Sequence, residues 1–231
     1  MNLQLAIIDI LRVIPKPLLR LLAGKPTSID GNTLDLNMHI MAKLAARGAG
    51  NTSAPTSVEA LRKAASAYND LNLPVVDGVT VSDTAFSLLG NDLRARVYRP
   101  ATLSEPLPAV LFFHQGGFVI MDHLTDDHFC SVMAARCQAA VISLDYRLCP
   151  EHDFPAPIED AEALWQHVQE HAAAMKIDPQ RVALSGDSAG GLISSSLAIK
   201  LRDRGGVQPA ALCLAYPWVT TNSENKPSLR R

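Results

Sequence analysis

The chain has 231 residues, 48% of them hydrophobic and 19% charged, with a formal net charge of −2. That length and apolar fraction suffice for a substantial buried core and exclude a disordered polypeptide; α/β folds of this size commonly form one domain. The near-neutral balance leaves no electrostatic footprint for nucleic acid or an anionic membrane, so the expected partner is small and neutral.

Met1 to Ala23 is apolar, but Asp9, Arg12, Lys16 and Arg20 interrupt it and Pro15 and Pro17 would break a spanning helix. It shows no basic leader followed by a clean apolar block and a small-residue cleavage site. The expectation is a helix rather than a signal or an anchor, with no integral membrane segment and a cytoplasmic location. Leu3, Ile7, Ile10, Leu11 and Ile14 fall on one helical stripe, and Leu18, Leu19, Leu21 and Leu22 extend the apolar supply past the prolines. Residues 24–56 cluster Gly, Pro, Ser, Thr and Asn around a short helix at His39 to Arg47. Ser57 reads as the N-cap of a helix running to about Asp70.

From Val75 the rhythm is that of strands, at Val79 to Leu88, Leu93 to Arg99, Ala109 to Phe113, Ala140 to Asp145, Arg181 to Leu184 and Ala210 to Tyr216. Gly90-Asn91-Asp92 predicts a hairpin turn between the first two. Helices are expected at Asp126 to Cys137, Ile158 to Ala174 and Ala189 to Arg204, with Glu159, Asp160 and Glu162 placed to suit the dipole of the middle one. Strand and helix alternate from Ala109 onward, which calls for an α/β architecture: a mainly parallel sheet with helices on both faces. The division expected is residues 1–70 as N-terminal helices and connecting loops and residues 71–231 as the core.

Cys130, Cys137, Cys149 and Cys213 have neither Cys-x-x-Cys spacing nor the density of a disulfide scaffold, and read as free thiols. Cys130 and Cys137, seven apart on a helix, share a face but lie two turns apart, too far to bridge.

The organising stretch is Leu184-Ser185-Gly186-Asp187-Ser188-Ala189-Gly190-Gly191. Gly-x-Ser-x-Gly lies between the β-like run Arg181 to Leu184 and the helix-like run Leu192 to Arg202, the strand, turn and helix context of a nucleophile elbow. Such a turn raises the Ser188 hydroxyl above the sheet and leaves no room for side chains at Gly186 or Gly190. Earlier, Val110-Leu111-Phe112-Phe113 runs into His114-Gln115-Gly116-Gly117, which resembles the His-Gly-Gly-Gly oxyanion loop of lipases and esterases. Asp145-Tyr146-Arg147-Leu148-Cys149-Pro150-Glu151 to Ala161 lies between the two.

Together these motifs, in this order over roughly residues 75–217, resemble the hormone-sensitive-lipase-like family of α/β-hydrolase esterases. The resemblance implies the α/β-hydrolase fold, with the N-terminal helices forming part of a cap over the site. Packing on the body without a role in substrate access, or a peripheral membrane contact, are the alternatives. It implies a carboxylic ester hydrolase for short or medium acyl chains, with Ser188 as nucleophile and the amides of Gly116, Gly117 and Ala189 holding the oxyanion. No cofactor or metal is implied. Gln115 stands where the family has glycine: it strains the loop if that position needs positive φ, and costs nothing if its side chain points to solvent. Cys149, where many relatives have alanine, reads as a small buried substitution.

In this family an acid and a histidine follow the serine in chain order. Here His39, His114, His123, His128, His152, His167 and His171 all precede Ser188, and the later acids are Asp203 and Glu224. His114 has a structural task by the resemblance, His167 and His171 lie on a helix expected to pack away, and His123 and His128 follow the oxyanion loop; ordinary surface positions account for them all. Asp145 and Arg147 are expected to hold a loop together. The expectation is a C-terminally truncated hydrolase without its last strands and helices, inactive or nearly so. Its strand 210–216 would leave an unpaired edge through which the chain forms a homo-oligomer. The alternative is a non-catalytic chain that self-associates or binds apolar ligands.

Overall fold

A computed structural model describes residues 13–49, 57–102 and 106–220. Within Met1–Ser57, one of the two units into which the chain divides, the described elements are α1 (Lys16–Ala23), a two-residue hairpin of β1 (Ser28–Ile29) and β2 (Asn32–Thr33), and α2 (Leu36–Ala49). Pro17 occupies the first turn of α1, where its missing N–H costs nothing, and Gly24 at φ 70° ends it. Leu19, Ala23 and Ile40 bury one another, with Ile14 and Leu36 alongside. The carbonyl of Ala23, left over at the end of α1, is met by α2: His39 Nε2 lies 3.0 Å away and Lys43 donates to it. Leu18 and Leu21 are exposed, so of the expected apolar run after the prolines Leu19 alone is shown buried. Leu3, Ile7, Ile10 and Leu11 lie outside the described residues.

The second unit, Val58–Arg231, opens with α3 (Val58–Ser66) and a single 3₁₀ turn (Asn69–Leu71), so the helix expected from Ser57 to Asp70 is interrupted after its second turn. The sheet follows: β3 (Val79–Leu88), β4 (Asn91–Pro100), β5 (Leu107–Phe113), β6 (Ala140–Leu144), β7 (Ile177–Asp187) and β8 (Leu212–Ala215). Helices α4 (Asp127–Cys137), α5 (Ala156–His171) and α6 (Ala189–Asp203) connect the strands from β5 onward. The spatial order is β3-β4-β6-β5-β7-β8; β6, β5, β7 and β8 are parallel, and the β3–β4 hairpin extends the sheet antiparallel. The hairpin turn is Leu89-Gly90, at φ 50° and 75°, not Gly90-Asn91-Asp92. Asn91 and Asp92 are paired in β4, because two left-handed residues suffice to reverse a twisted ribbon.

Alternation along the buried strands sorts the core onto two faces. Leu111 and Phe113 of β5, with Ile142, Leu144 and Leu184, pack against Leu164 and Val168 of α5 and Ile193 and Leu197 of α6. Val110, Phe112 and Val141 face Cys130, Met133 and Ala134 of α4. A strand covered on both faces needs an unbroken apolar sequence, which is what Val110-Leu111-Phe112-Phe113 supplies. At β8 this cover ends: it is the last strand of the sheet among the described residues, and Leu212 remains 46% exposed.

Two expectations about α5 change. Asp160 is fully buried and Glu162 nearly so; Asp160 binds Arg147, and Glu162 binds Lys200 of α6 and Arg204 just after it. They face the core side of the helix and answer specific cations, which leaves the dipole a minor part of their role.

Candidate active site

In the register of β5 with β7, Phe113 stands beside Gly186. The residues that follow each strand, His114 to Gly117 on one side and Asp187 to Ala189 on the other, therefore leave the same end of the sheet next to each other. This is the carboxyl end of parallel strands, where open α/β sheets place their ligands.

Ser188, half-buried between the last residue of β7 and the first of α6, has φ 50° and ψ −111°. A non-glycine residue held there costs roughly 1–3 kcal/mol and persists only where its surroundings over-determine it. They do so here. Ser188 N–H donates to Ala215 O at 3.0 Å, and Ser188 O accepts from Leu192 at 3.2 Å and Trp218 at 3.0 Å. A Cβ on Gly186 would stand 2.5 Å from the Gly190 carbonyl and 2.7 Å from Phe113 O; one on Gly190 would stand 1.8 Å from Phe113 O. Gly191, which the five-residue motif does not include, is equally confined, since its Cβ would lie 2.8 Å from Pro217 Cβ.

In the neighbouring loop Gly116 has φ 123°, and a Cβ there would meet Ile120 O at 2.0 Å; Gly117 has φ 60°. Gly116 O accepts from Val119 and Ile120, both at 3.1 Å, which sets the turn. Among the described residues, the N–H groups of Gly116, Gly117 and Ala189 donate to no protein acceptor. Gln115 is not among the left-handed residues, so glutamine brings no backbone strain. Gln115 is half-buried and lines an open cavity of about 430 Å³ with Tyr68, Asn72, Ile120, Met121 and Thr125.

His114 is fully buried and stacks on Tyr146, ring centres 4.2 Å apart; Tyr146 OH donates to His114 O at 2.8 Å. Burial pushes its imidazole below the usual histidine value, so the ring is neutral. Asp187 Oδ2 accepts from Tyr216 OH at 2.8 Å, and the Gln115 backbone amide also favours its carboxylate; burial outweighs both and raises its pKa.

The remaining histidines are spread across the molecule. His123 is buried with Nδ1 3.5 Å from Asp145 Oδ2; His128 Nδ1 lies 2.7 Å from Pro74 O; His167 and His171 stack on each other along α5. His39, His114 and His123 are buried, correcting the expectation of surface positions: each is enclosed because its ring meets a carbonyl, a carboxylate or another ring. Among the described residues none hydrogen-bonds the Ser188 hydroxyl. Asp145 and Arg147 do hold the loop after β6. Arg94 donates to Asp145 at 2.6 Å, while Arg147 makes side-chain and backbone bonds to Asp160 at 2.7–3.0 Å. Cys149 is half-buried, with Sγ 3.2 Å from His152 O, and Cys137 is exposed where Cys130 is buried; all four cysteines are free.

One anchor of this region had no signal in the sequence. Arg62 of α3 donates to Val119 O at 2.7 Å, to Cys149 O at 2.8 Å and to both Glu151 carboxylate oxygens, so a single side chain joins the segments that follow β5 and β6. It sits more than fifty residues from each partner, beyond the reach of any local pattern.

Among the described residues no group of three or more His, Cys, Asp or Glu side chains could hold a metal ion, and no helix is long and apolar enough to cross a membrane.

The family model for the alpha/beta hydrolase fold matches residues 110–231, and the chain belongs to that family. Its relatives carry esterase names. It is 41% identical over 158 residues to Esterase LipI of Mycobacterium tuberculosis, covering 68% of this chain and 49% of that protein. It is 34% identical over 217 residues to Carboxylic ester hydrolase LipN of the same organism, covering 91% of this chain and 57% of that one. Among solved structures, an ester-hydrolase from the metagenome of Lake Arreo, complexed with a derivative of bipyridine phosphonate, superposes with a TM-score of 0.75 at 33% identity, over 82% of this chain and 61% of that one. The chain thus spans about half the length of the curated relatives it matches.

Proposed function

We propose that this chain carries the nucleophile and the oxyanion site of a serine carboxylic ester hydrolase acting on small neutral esters of short or medium acyl length. Ser188 is the nucleophile, and the amides of Gly116, Gly117 and Ala189 receive the oxyanion. The observation that carries the reading is the left-handed backbone of Ser188, locked between two glycines that no larger residue could replace.

Attack of the hydroxyl oxygen on the ester carbon moves charge onto the carbonyl oxygen. Donors already fixed in place stabilise that charge without reorganising, and removing one such donor typically costs about 3–4 kcal/mol of barrier. The start of α6 adds a favourable field for the same charge. Within these 231 residues no histidine follows Ser188, and among the described residues none hydrogen-bonds its hydroxyl. Turnover by the 231-residue chain alone is therefore expected to be slight, limited to what binding and the oxyanion site provide. Hydrolysis of p-nitrophenyl butyrate by the chain and by Ser188→Ala tests this. Equal, near-background rates are expected, and strong Ser188-dependent turnover would show that a base is in place.

A second reading, a non-catalytic chain that associates with itself, is favoured by β8, where Leu212, Tyr216 and Trp218 are 46%, 68% and 44% exposed beside an edge with no described partner. Such an edge pairs readily with another chain. Light scattering after size exclusion is expected to give a dimer or larger species; a monodisperse monomer would remove this reading.

A further inference from the structure

A continuous run of hydrogen bonds ties the turn after β5 to α3. Arg62 Nε donates to Val119 O at 2.7 Å. A trans peptide points its C=O and its N–H in opposite directions, so Val119 O and the Ile120 N–H are the two ends of one plane. The Ile120 N–H donates to Gly116 O at 3.1 Å, and Gly116 O shares its plane with the Gly117 N–H. Three steps therefore lead from a guanidinium on α3 to an amide that, among the described residues, donates to no protein acceptor.

A second run ends on the same oxygen. Cys149 N–H donates to Phe118 O at 2.8 Å; the other end of that plane is the Val119 N–H, which donates to Gly116 O at 3.1 Å. Arg62 reaches this run too, since its Nη2 donates to Cys149 O at 2.8 Å. Glu151 takes the same guanidinium through both carboxylate oxygens, at 2.7 and 2.8 Å, which fixes the plane of the fork. A lysine could not do this, because its ammonium is a point donor without the planar fork that meets Val119, Cys149 and Glu151 together.

We propose that Arg62 is a positioning residue for the Gly117 amide, aiming it at the oxyanion through the peptides of Val119–Ile120 and Gly116–Gly117. Glycine on both sides leaves the Gly116–Gly117 peptide the freest backbone of the turn, so its direction is set by what Gly116 O accepts. A donor aimed away from the oxyanion stabilises it less. Arg62 removes that freedom from the far side of the turn without touching substrate. The peptides of the run are aligned head to tail, so the cation at one end also strengthens the donor at the other. The run of bonds stands on its own distances; its purpose rests on the reading of Gly117 as an oxyanion donor.

Hydrogen exchange and amide resonances of the full chain are compared with those of Arg62→Ala and Arg62→Lys. In both variants the Ile120 amide is expected to gain about tenfold more in exchange rate than Leu184, which is bonded to Ala211 O at the far edge of the sheet, and the Gly117 resonance to shift. A loss of overall stability alone would speed Leu184 as much as Ile120; that result, or an unchanged Ile120, would overturn the proposal. Arg62 lines an open cavity of about 490 Å³ and its side chain is 31% exposed, so a small cation can enter where the side chain is removed. Ethylguanidinium, the missing part of the side chain, is expected to restore the Gly117 resonance of Arg62→Ala, and ethylammonium to leave it shifted. Equal effects of the two would overturn the positioning role. Butyrate, whose carboxylate stands in for the oxyanion, is expected to move the Gly117 resonance of the native chain and to bind Arg62→Ala about tenfold more weakly. Equal affinity would overturn the positioning role as well. Should Arg62→Ala not fold, Arg62→Lys carries the exchange and butyrate comparisons. Native Gly116, Gly117 and Ala189 amides that ignore butyrate would overturn the oxyanion reading and the positioning role with it. The exchange result would then still stand, so the two failures are distinguishable.

Discussion

The ends of β5 and β7 and the edge strand β8 are built from similar apolar residues and have opposite fates. Leu111, Phe113 and Leu184 are sealed between helices, and Gly186 and Gly190 sit against the Phe113 carbonyl with no space to spare. In β8, by contrast, Leu212 and Cys213 are open to solvent. Yet the second region holds the first in place, because Ser188 N–H is taken by Ala215 O, Trp218 N–H by Ser188 O, and Asp187 by the Tyr216 hydroxyl. A strained turn can thus depend on the least protected strand of the sheet, through backbone bonds that burial alone does not reveal.

Gly190→Ala attacks the sealed region most directly. With the new Cβ at 1.8 Å from Phe113 O, the start of α6 and the end of β5 must part, and a loss of more than about 4 kcal/mol is expected in urea unfolding. Leu184→Ala, in the middle of the sheet, is expected to cost about 2–5 kcal/mol in the same assay. Tyr216→Phe tests the link between the regions. Losing one hydrogen bond to a charged group costs about 1.5 kcal/mol. Its sign with pH follows from Asp187, whose raised pKa would rise further without the phenol: the loss should be present at neutral pH and fade in acid, where the carboxyl is protonated in both forms. Leu212→Ala should be the mildest, within about 0.5 kcal/mol, as for a surface site. A loss near that of Leu184→Ala would mean that β8 is covered in solution, which is what pairing between copies would do.

Much of the sheet is legible in the sequence because its signals are local. The runs 79–88, 109–113 and 140–144 carry enough β-branched and aromatic residues to define strands wherever they end up. The boundaries of β7, extended from Arg181–Leu184 to Ile177–Asp187, were not legible, since Ile177 joins the sheet only by pairing with Leu107, and the polar residues 178–181 lie in an irregularity before regular pairing with β5 resumes at Val182. The hairpin turn moved by one residue for a similar reason: Leu89 accepts a left-handed backbone that its own side chain disfavours, under the pull of the β3–β4 register. The same division runs through the candidate site. Gly-x-Ser-x-Gly marks a sharp turn by itself, because glycine is required wherever backbone approaches backbone.

What the sequence determined by itself is the kind of structure and the place of the turn: apolar periodicity specifies buried strands and helices, and the glycines around Ser188 specify a backbone that no other residue tolerates. What only the tertiary structure decided is the company these residues keep. The elbow is fixed by Ala215 and Trp218, Arg62 joins two distant loops, Asp160 goes to Arg147, and Asp187 accepts from the Tyr216 hydroxyl. These pairings join residues from about a dozen to more than eighty positions apart, and the energy of each depends on burial and on a specific geometry that no local pattern encodes.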